Sequence, residues 1–158
     1  MTQKPAPLRI LFVCLGNICR SPSAHGVFRA KARAAGLEVV TDCAGTGDWH
    51  IGQPPDARAM RAARARGYDL SDLRARQFRP EDFADFDLIL AMDRSNQRAI
   101  EAQRPQGNST PVRLFRSLAE PTQSDVPDPY LTGGFDDVLT LIESSAAALV
   151  EDVRTRRA

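Results

Sequence analysis

Four apolar runs separated by amphipathic segments set the rhythm of the chain. Leu8–Cys14 is apolar apart from Arg9, the composition of a strand covered on both faces. The spacing from Pro22 to Ala35 predicts a helix, with Val27, Phe28 and Ala32 inward and Gly36 as its stop. Leu37–Ala44 predicts the second strand, and Pro55–Arg66 a helix ended by Gly67. The stretch Tyr68–Phe86 is mixed, with a short helix at Pro80–Phe83, where Glu81 and Asp82 suit the first turn. Asp87–Met92 predicts the third strand; a helix capped by Asp93 or Ser95 then runs to about Gln103, and Pro105 and Gly107 stop it. Pro111–Phe115 predicts the fourth strand and Phe135–Arg156 the last helix, apolar at Val138, Leu141, Ile142, Leu149 and Val153. Between these two, Arg116–Gly134 reads as a long loop, and loops of that length tend to carry function.

This alternation predicts an α/β fold: a four-stranded parallel sheet with helices on both faces and right-handed connections. Ligands of such sheets bind beyond the carboxyl ends of the strands, where strand order reverses. The end of the first strand, at Cys14, is the natural candidate.

Composition narrows the picture. A length of 158 residues predicts a single domain over 1–158. The formal charge of +1 gives no broad attraction to nucleic acid or membrane. The arginines from Arg58 to Arg66 read as a solvated helix face. Met1–Pro7 lacks the apolar core of a signal peptide and no segment has the length of a membrane span, so a cytoplasmic protein is expected. Three cysteines in such a chain are expected to be reduced thiols. The Cys14–Cys19 spacing is wide for a paired zinc site. His25 and His50 read as ordinary helix and loop residues.

The chemistry concentrates in Cys14-Leu15-Gly16-Asn17-Ile18-Cys19-Arg20-Ser21-Pro22, between the first strand and the first helix. Backbone N–H groups from Leu15 to Arg20 can converge on one centre and form a nest for an oxyanion. Gly16 and Asn17 tolerate the positive φ that such a cradle uses, and the Arg20 guanidinium can close it with two parallel hydrogen bonds. Ser21 before Pro22 predicts an N-cap with proline at the first helical position. The Ser21 hydroxyl can also donate to the Cys14 sulfur. Helix terminus, loop amides and Arg20 make a field that favours a thiolate, so Cys14 is a candidate nucleophile. Asp125 and Asp128, in Ser124-Asp125-Val126-Pro127-Asp128-Pro129-Tyr130, are near-equal candidates for a general acid.

The loop resembles that of the low-molecular-weight protein tyrosine phosphatases, Cys, five residues, Arg, Ser. Asp42-Cys43-Ala44-Gly45-Thr46, Ala91-Met92-Asp93-Arg94-Ser95-Asn96 and Asp128-Pro129-Tyr130 are similar to further segments of that family in the same order. The resemblance implies phosphotyrosine and small aryl phosphate hydrolysis through a cysteinyl phosphate, without metal or cofactor. It selects Asp128 as the acid, and Trp49 and Tyr130 as walls of a slot for a phenyl ring. It also implies a loop-shaping network of Asn17 and Ser21 in which Cys43 stands where the family has serine. Asp93 would either position Arg20 or cap the third long helix, and Cys19 would trap an oxidised Cys14 as a reversible disulfide. Leu131 stands where some members have a second aromatic. The expected partners are a phosphotyrosine protein and phosphate or other oxyanions, with the enzyme a monomer or weak dimer. Alternatives on the same loop are a protein-arginine phosphatase, in which threonine is typical at Ile18, an arsenate reductase, which needs redox cysteines absent from Leu88–Asn96, and an inactive phosphate-binding module.

Overall fold

The computed structural model describes residues 6–157; most of the Met1–Pro7 segment and Ala158 lie outside them. Strands β1 (Leu8–Cys14), β2 (Val39–Gly45), β3 (Leu88–Ala91) and β4 (Val112–Leu114) form one parallel sheet in the order β2-β1-β3-β4. Helices α1 (Arg20–Ala34), α2 (Ala57–Ala65), α3 (Asp82–Asp85), α4 (Arg94–Glu101), α5 (Pro129–Thr132) and α6 (Phe135–Arg157) connect and cover it. Because β1 pairs with β2 on one side and β3 on the other, the strand order reverses at the carboxyl end of β1.

The two-residue period of β1 explains its unbroken apolar sequence. Ile10, Phe12 and Cys14 belong to a core shared with Phe28 of α1 and Ile142 and Leu149 of α6. Leu11 and Val13 pack on the other side with Ile89, Phe83 and Ile100. Phe12 anchors the first core, its ring centroid 5.7 Å from Phe28 and 5.6 Å, edge-on, from Phe115. Gly36, at φ +71°, ends α1 in a Schellman arrangement: its N–H donates to the Arg33 carbonyl and that of Leu37 to Ala32.

Two expectations fail locally. Helix α1 begins at Arg20, with Cys19 as its N-cap, so Ser21 lies inside the first turn and does not cap it. The Ser21 side chain is drawn to the sulfur of Cys14 instead. The long segment after β4 is partly helical, with a 3₁₀ turn at Arg116–Leu118 and α5 starting at Pro129. Among the described residues no helix is long and apolar enough to cross a membrane.

Candidate active site

The loop leaving β1 is held from behind. The Cys14 and Leu15 carbonyls accept from Thr46 and Gly47 N–H, both at 2.9 Å, and the Ile18 carbonyl accepts from Asp56 N–H at 2.8 Å. With the carbonyls engaged, the N–H of Asn17 donates to Cys14 Sγ at 3.2 Å. Among the described residues the N–H groups of Gly16, Ile18 and Cys19 have no protein acceptor. Such a set of free donors around a sulfur has the geometry to take an anion. Asn17 takes the left-handed conformation, φ 58°, but Gly16 does not. A Cβ at 16 would make a tight 3.2 Å contact with the His50 ring. Gly45 is needed for close approach, because a Cβ there would meet the Leu15 carbonyl oxygen at 2.7 Å.

Arg20 is buried beside this loop. Its Nη1 donates to Asp93 Oδ2 at 2.7 Å and to the Val126 carbonyl at 3.0 Å, and its Nη2 lies 3.6 Å from Asp128 Oδ2. Burial works against its charge, but Cys14, Asp93 and Asp128 outweigh it and hold the guanidinium pKa above its ordinary value. Asp93 meets both sequence expectations, one with each oxygen. Oδ1 accepts from Asn96 N–H at 2.7 Å and caps α4, while Oδ2 orients Arg20. An Asp93→Asn variant keeps a good cap but replaces a charged partner of Arg20 with a neutral one. Its melting temperature should stay within about 2 °C of wild type, a shift worth at most about 1 kcal/mol. Its affinity for inorganic phosphate should fall roughly tenfold, the size of one charge-assisted hydrogen bond. Calorimetric titration beside a thermal melt separates the two.

Asp128 sits between two anchors. Val126 N–H donates to the Met92 carbonyl at 2.7 Å, tying the segment to the end of β3, and Pro129 is buried. Asp128 Oδ1 accepts from Tyr130 N–H and caps α5. Asp125, the other candidate, faces Arg94 N–H and is not part of the cavity above the loop. That cavity, about 390 Å³, is lined by Cys14, Leu15, Gly16, Ile18, Cys19, Arg20 and Asp128 at its base and by Trp49, His50 and Tyr130 at its mouth. Trp49, 66% exposed, has no part in the core. Leu131 is 89% exposed and outside the cavity.

The sequence reading misses three contributors: His50, Arg58 and, behind the loop, Arg76. His50, read as an ordinary loop residue, lines the cavity, with Nδ1 3.0 Å from Gln53 Oε1. The one hint is its place next to Trp49. Arg58, read as part of a solvated face, packs its guanidinium 4.7 Å from the Phe135 ring and donates to the Tyr130 carbonyl at 3.0 Å, fixing one wall of the slot.

Behind the loop, Ser21 Oγ lies 3.0 Å from Cys14 Sγ and accepts from Asn17 Nδ2 at 2.8 Å. Asn17 Oδ1 accepts from Arg76 N–H at 3.0 Å, a partner 59 positions away with no local sequence signal. Cys43 faces Asn17 and His25, and burial pushes its thiol up to about 12. Burial, aided by the charges of Asp56 and Cys14, does the same to Cys19. His25 is stacked on Phe12, its pKa pushed down to about 4 by burial and by Arg29. An unfolded histidine titrates near 6.5, so below that pH the unfolded chain binds a proton that the folded chain refuses. Stability should therefore fall between about pH 6.5 and 4, by roughly 3 kcal/mol in all. Melts across this window should show the slope, and His25→Gln should flatten it; an unchanged slope would exclude His25 as its source.

A model of the low molecular weight phosphotyrosine protein phosphatase family matches residues 9–158. The low molecular weight protein-tyrosine-phosphatase YfkJ of Bacillus subtilis is 39% identical over 153 residues, 95% of this chain and 98% of that one. Its crystal structure superposes with a TM-score of 0.93 at 36% identity, covering 99% and 100% of the two chains. Wzb of Vibrio vulnificus in complex with benzylphosphonate matches with a TM-score of 0.81 at 28% identity, over 93% and 99%. A Drosophila arginine phosphatase matches with 0.86 at 28%, over 93% and 98%.

Proposed function

The chain belongs to the low molecular weight phosphotyrosine protein phosphatase family, and from that premise we propose that it hydrolyses phosphotyrosine by two displacements at Cys14. The observation that carries this reading is the meeting of Cys14, Arg20 and Asp128 in one cavity at the carboxyl end of β1. Cys14 Sγ attacks phosphorus in line and the bond to the phenolic oxygen breaks. Free loop amides and Arg20 hold the equatorial oxygens as charge spreads over them. Asp128 gives its proton to the leaving oxygen. The ionised Asp128 then takes a proton from water, which attacks the cysteinyl phosphate, and inorganic phosphate departs as Cys14 is released.

Acid quenching of the enzyme during turnover of an aryl phosphate, followed by peptide mass spectrometry, tests the intermediate. Phosphorus on the Cys14 peptide is the expected result. Its absence, with turnover proceeding, would overturn covalent catalysis.

Trp49, Ile18 and Tyr130 support an aryl substrate. A flat ring gains contact with them, whereas a guanidinium would lose hydration against Ile18, which itself offers no acceptor. Trp49→Ala should raise KM for aryl phosphates roughly tenfold through lost ring contact and leave the melting temperature unchanged, as suits a side chain 66% exposed. Competition between phosphotyrosine and phosphoarginine peptides decides between the two substrate classes represented among the structural neighbours.

A further inference from the structure

Behind the phosphate loop, one set of three metal-ligating side chains converges among the described residues. His25 on α1 and Asp42 and Cys43 on β2 bring their ligand atoms within 4.8 Å of one another. His25 Nδ1 is 3.4 Å from Cys43 Sγ. A tetrahedral centre with bonds of about 2.0 Å to nitrogen and 2.3 Å to sulfur has an edge of roughly 3.5 Å. We propose that His25, Asp42 and Cys43 form a binding site for a thiophilic divalent cation such as zinc, at the free margin of β2.

Three features support the assignment. The ligands are a thiol, an imidazole and a carboxylate, the set that favours zinc over magnesium or calcium. The His25 ring already has the orientation a ligand needs. Its Nε2 lies 3.0 Å from Thr41 Oγ1, and an Nε2–H donated to that hydroxyl leaves the Nδ1 lone pair facing the sulfur. β2 is an edge strand and the Asp42 side chain is 44% exposed, so water reaches the carboxylate corner of the site, while His25 and Cys43 are buried. Asp42 Oδ2 accepts from Arg76 Nε at 3.0 Å, while Oδ1 accepts the Cys43 N–H at 2.8 Å and keeps a lone pair for a metal. Arg76 opposes the cation electrostatically and sets a limit on affinity. On binding, the Cys43 thiol releases its proton to solvent and its sulfur donates the freed pair to the metal. The proposal uses none of Cys14, Arg20 or Asp128, although Cys43 also faces Asn17 behind the loop, and its test does not read activity.

The test is cobalt titration of a Cys14→Ser, Cys19→Ser chain, in which Cys43 is the remaining cysteine of the three. The expected result is a near-ultraviolet thiolate-to-cobalt band that saturates at about one equivalent and is displaced by zinc. Asp42→Asn in that background should weaken binding at least about tenfold, since even outer partners of a metal ligand are worth 10–100-fold. Absence of the band, or a band that survives Cys43→Ser, overturns the site. A second measurement needs no variant. One equivalent of zinc added to the unaltered chain should shift the His25 imidazole nitrogen resonances, and unshifted resonances would overturn the proposal equally.

Discussion

Cys14→Ser is expected to remove hydrolysis of p-nitrophenyl phosphate by roughly four to six orders of magnitude, the loss seen when a covalent nucleophile is deleted. The same protein should bind inorganic phosphate nearly as well as wild type. The cradle does not depend on the sulfur: its carbonyls are tied to Thr46, Gly47 and Asp56, and Arg20 is held by Asp93 and Val126. Serine is close in size to cysteine, and Ser21 Oγ at 3.0 Å from the sulfur is a ready partner for a hydroxyl. Steady-state assays paired with phosphate calorimetry therefore isolate the nucleophile from the anion site. Activity within tenfold of wild type would end the covalent reading. Lost activity together with lost phosphate binding would point to a collapsed loop.

Asp128→Asn is expected to lower turnover of phenyl phosphate by about 10²–10⁴-fold, the range for a positioned general acid. The effect should shrink for p-nitrophenyl phosphate, whose leaving group departs without a proton. With that substrate the second step becomes limiting, because no base activates water. Cysteinyl phosphate should then accumulate, visible as a burst of nitrophenolate before a slow steady rate. Asparagine remains a good helix cap, so α5 and the Tyr130 wall should stay in place and the loss is chemical. Asp125→Asn is the companion variant. Asp125 faces the Arg94 N–H outside the cavity and should leave the rate within about twofold, the scale of a surface substitution. A burst from Asp125→Asn and none from Asp128→Asn would reverse the assignment.

What the residues reveal before folding depends on how local the cause is. β1 is legible to its last residue because both of its faces are covered and its apolar run is continuous. The ends of α1 divide the same way. Gly36 stops it as local backbone rules require, whereas Ser21-Pro22 misleads about the start because the Ser21 hydroxyl is claimed by Cys14 and Asn17. Asp128 stands out in the sequence only through its resemblance to a family; its separation from Asp125 rests on anchors at Met92 and Pro129 that no local pattern announces. Arg76, His50 and Arg58 act through contacts across the fold, and residue type alone assigns them to solvent. α5 is four residues long, too short for helical periodicity to register.

The two bonds that fix Arg20 span 73 and 106 positions of the chain. Contacts of that range close late, since the loop entropy they cost is recovered only once the intervening strands are in register. A half-folded chain can hold α1 and a collapsed core and still lack a clamped guanidinium. Regained catalysis during refolding is thus a report on finished topology, and it should lag behind helix formation seen by circular dichroism.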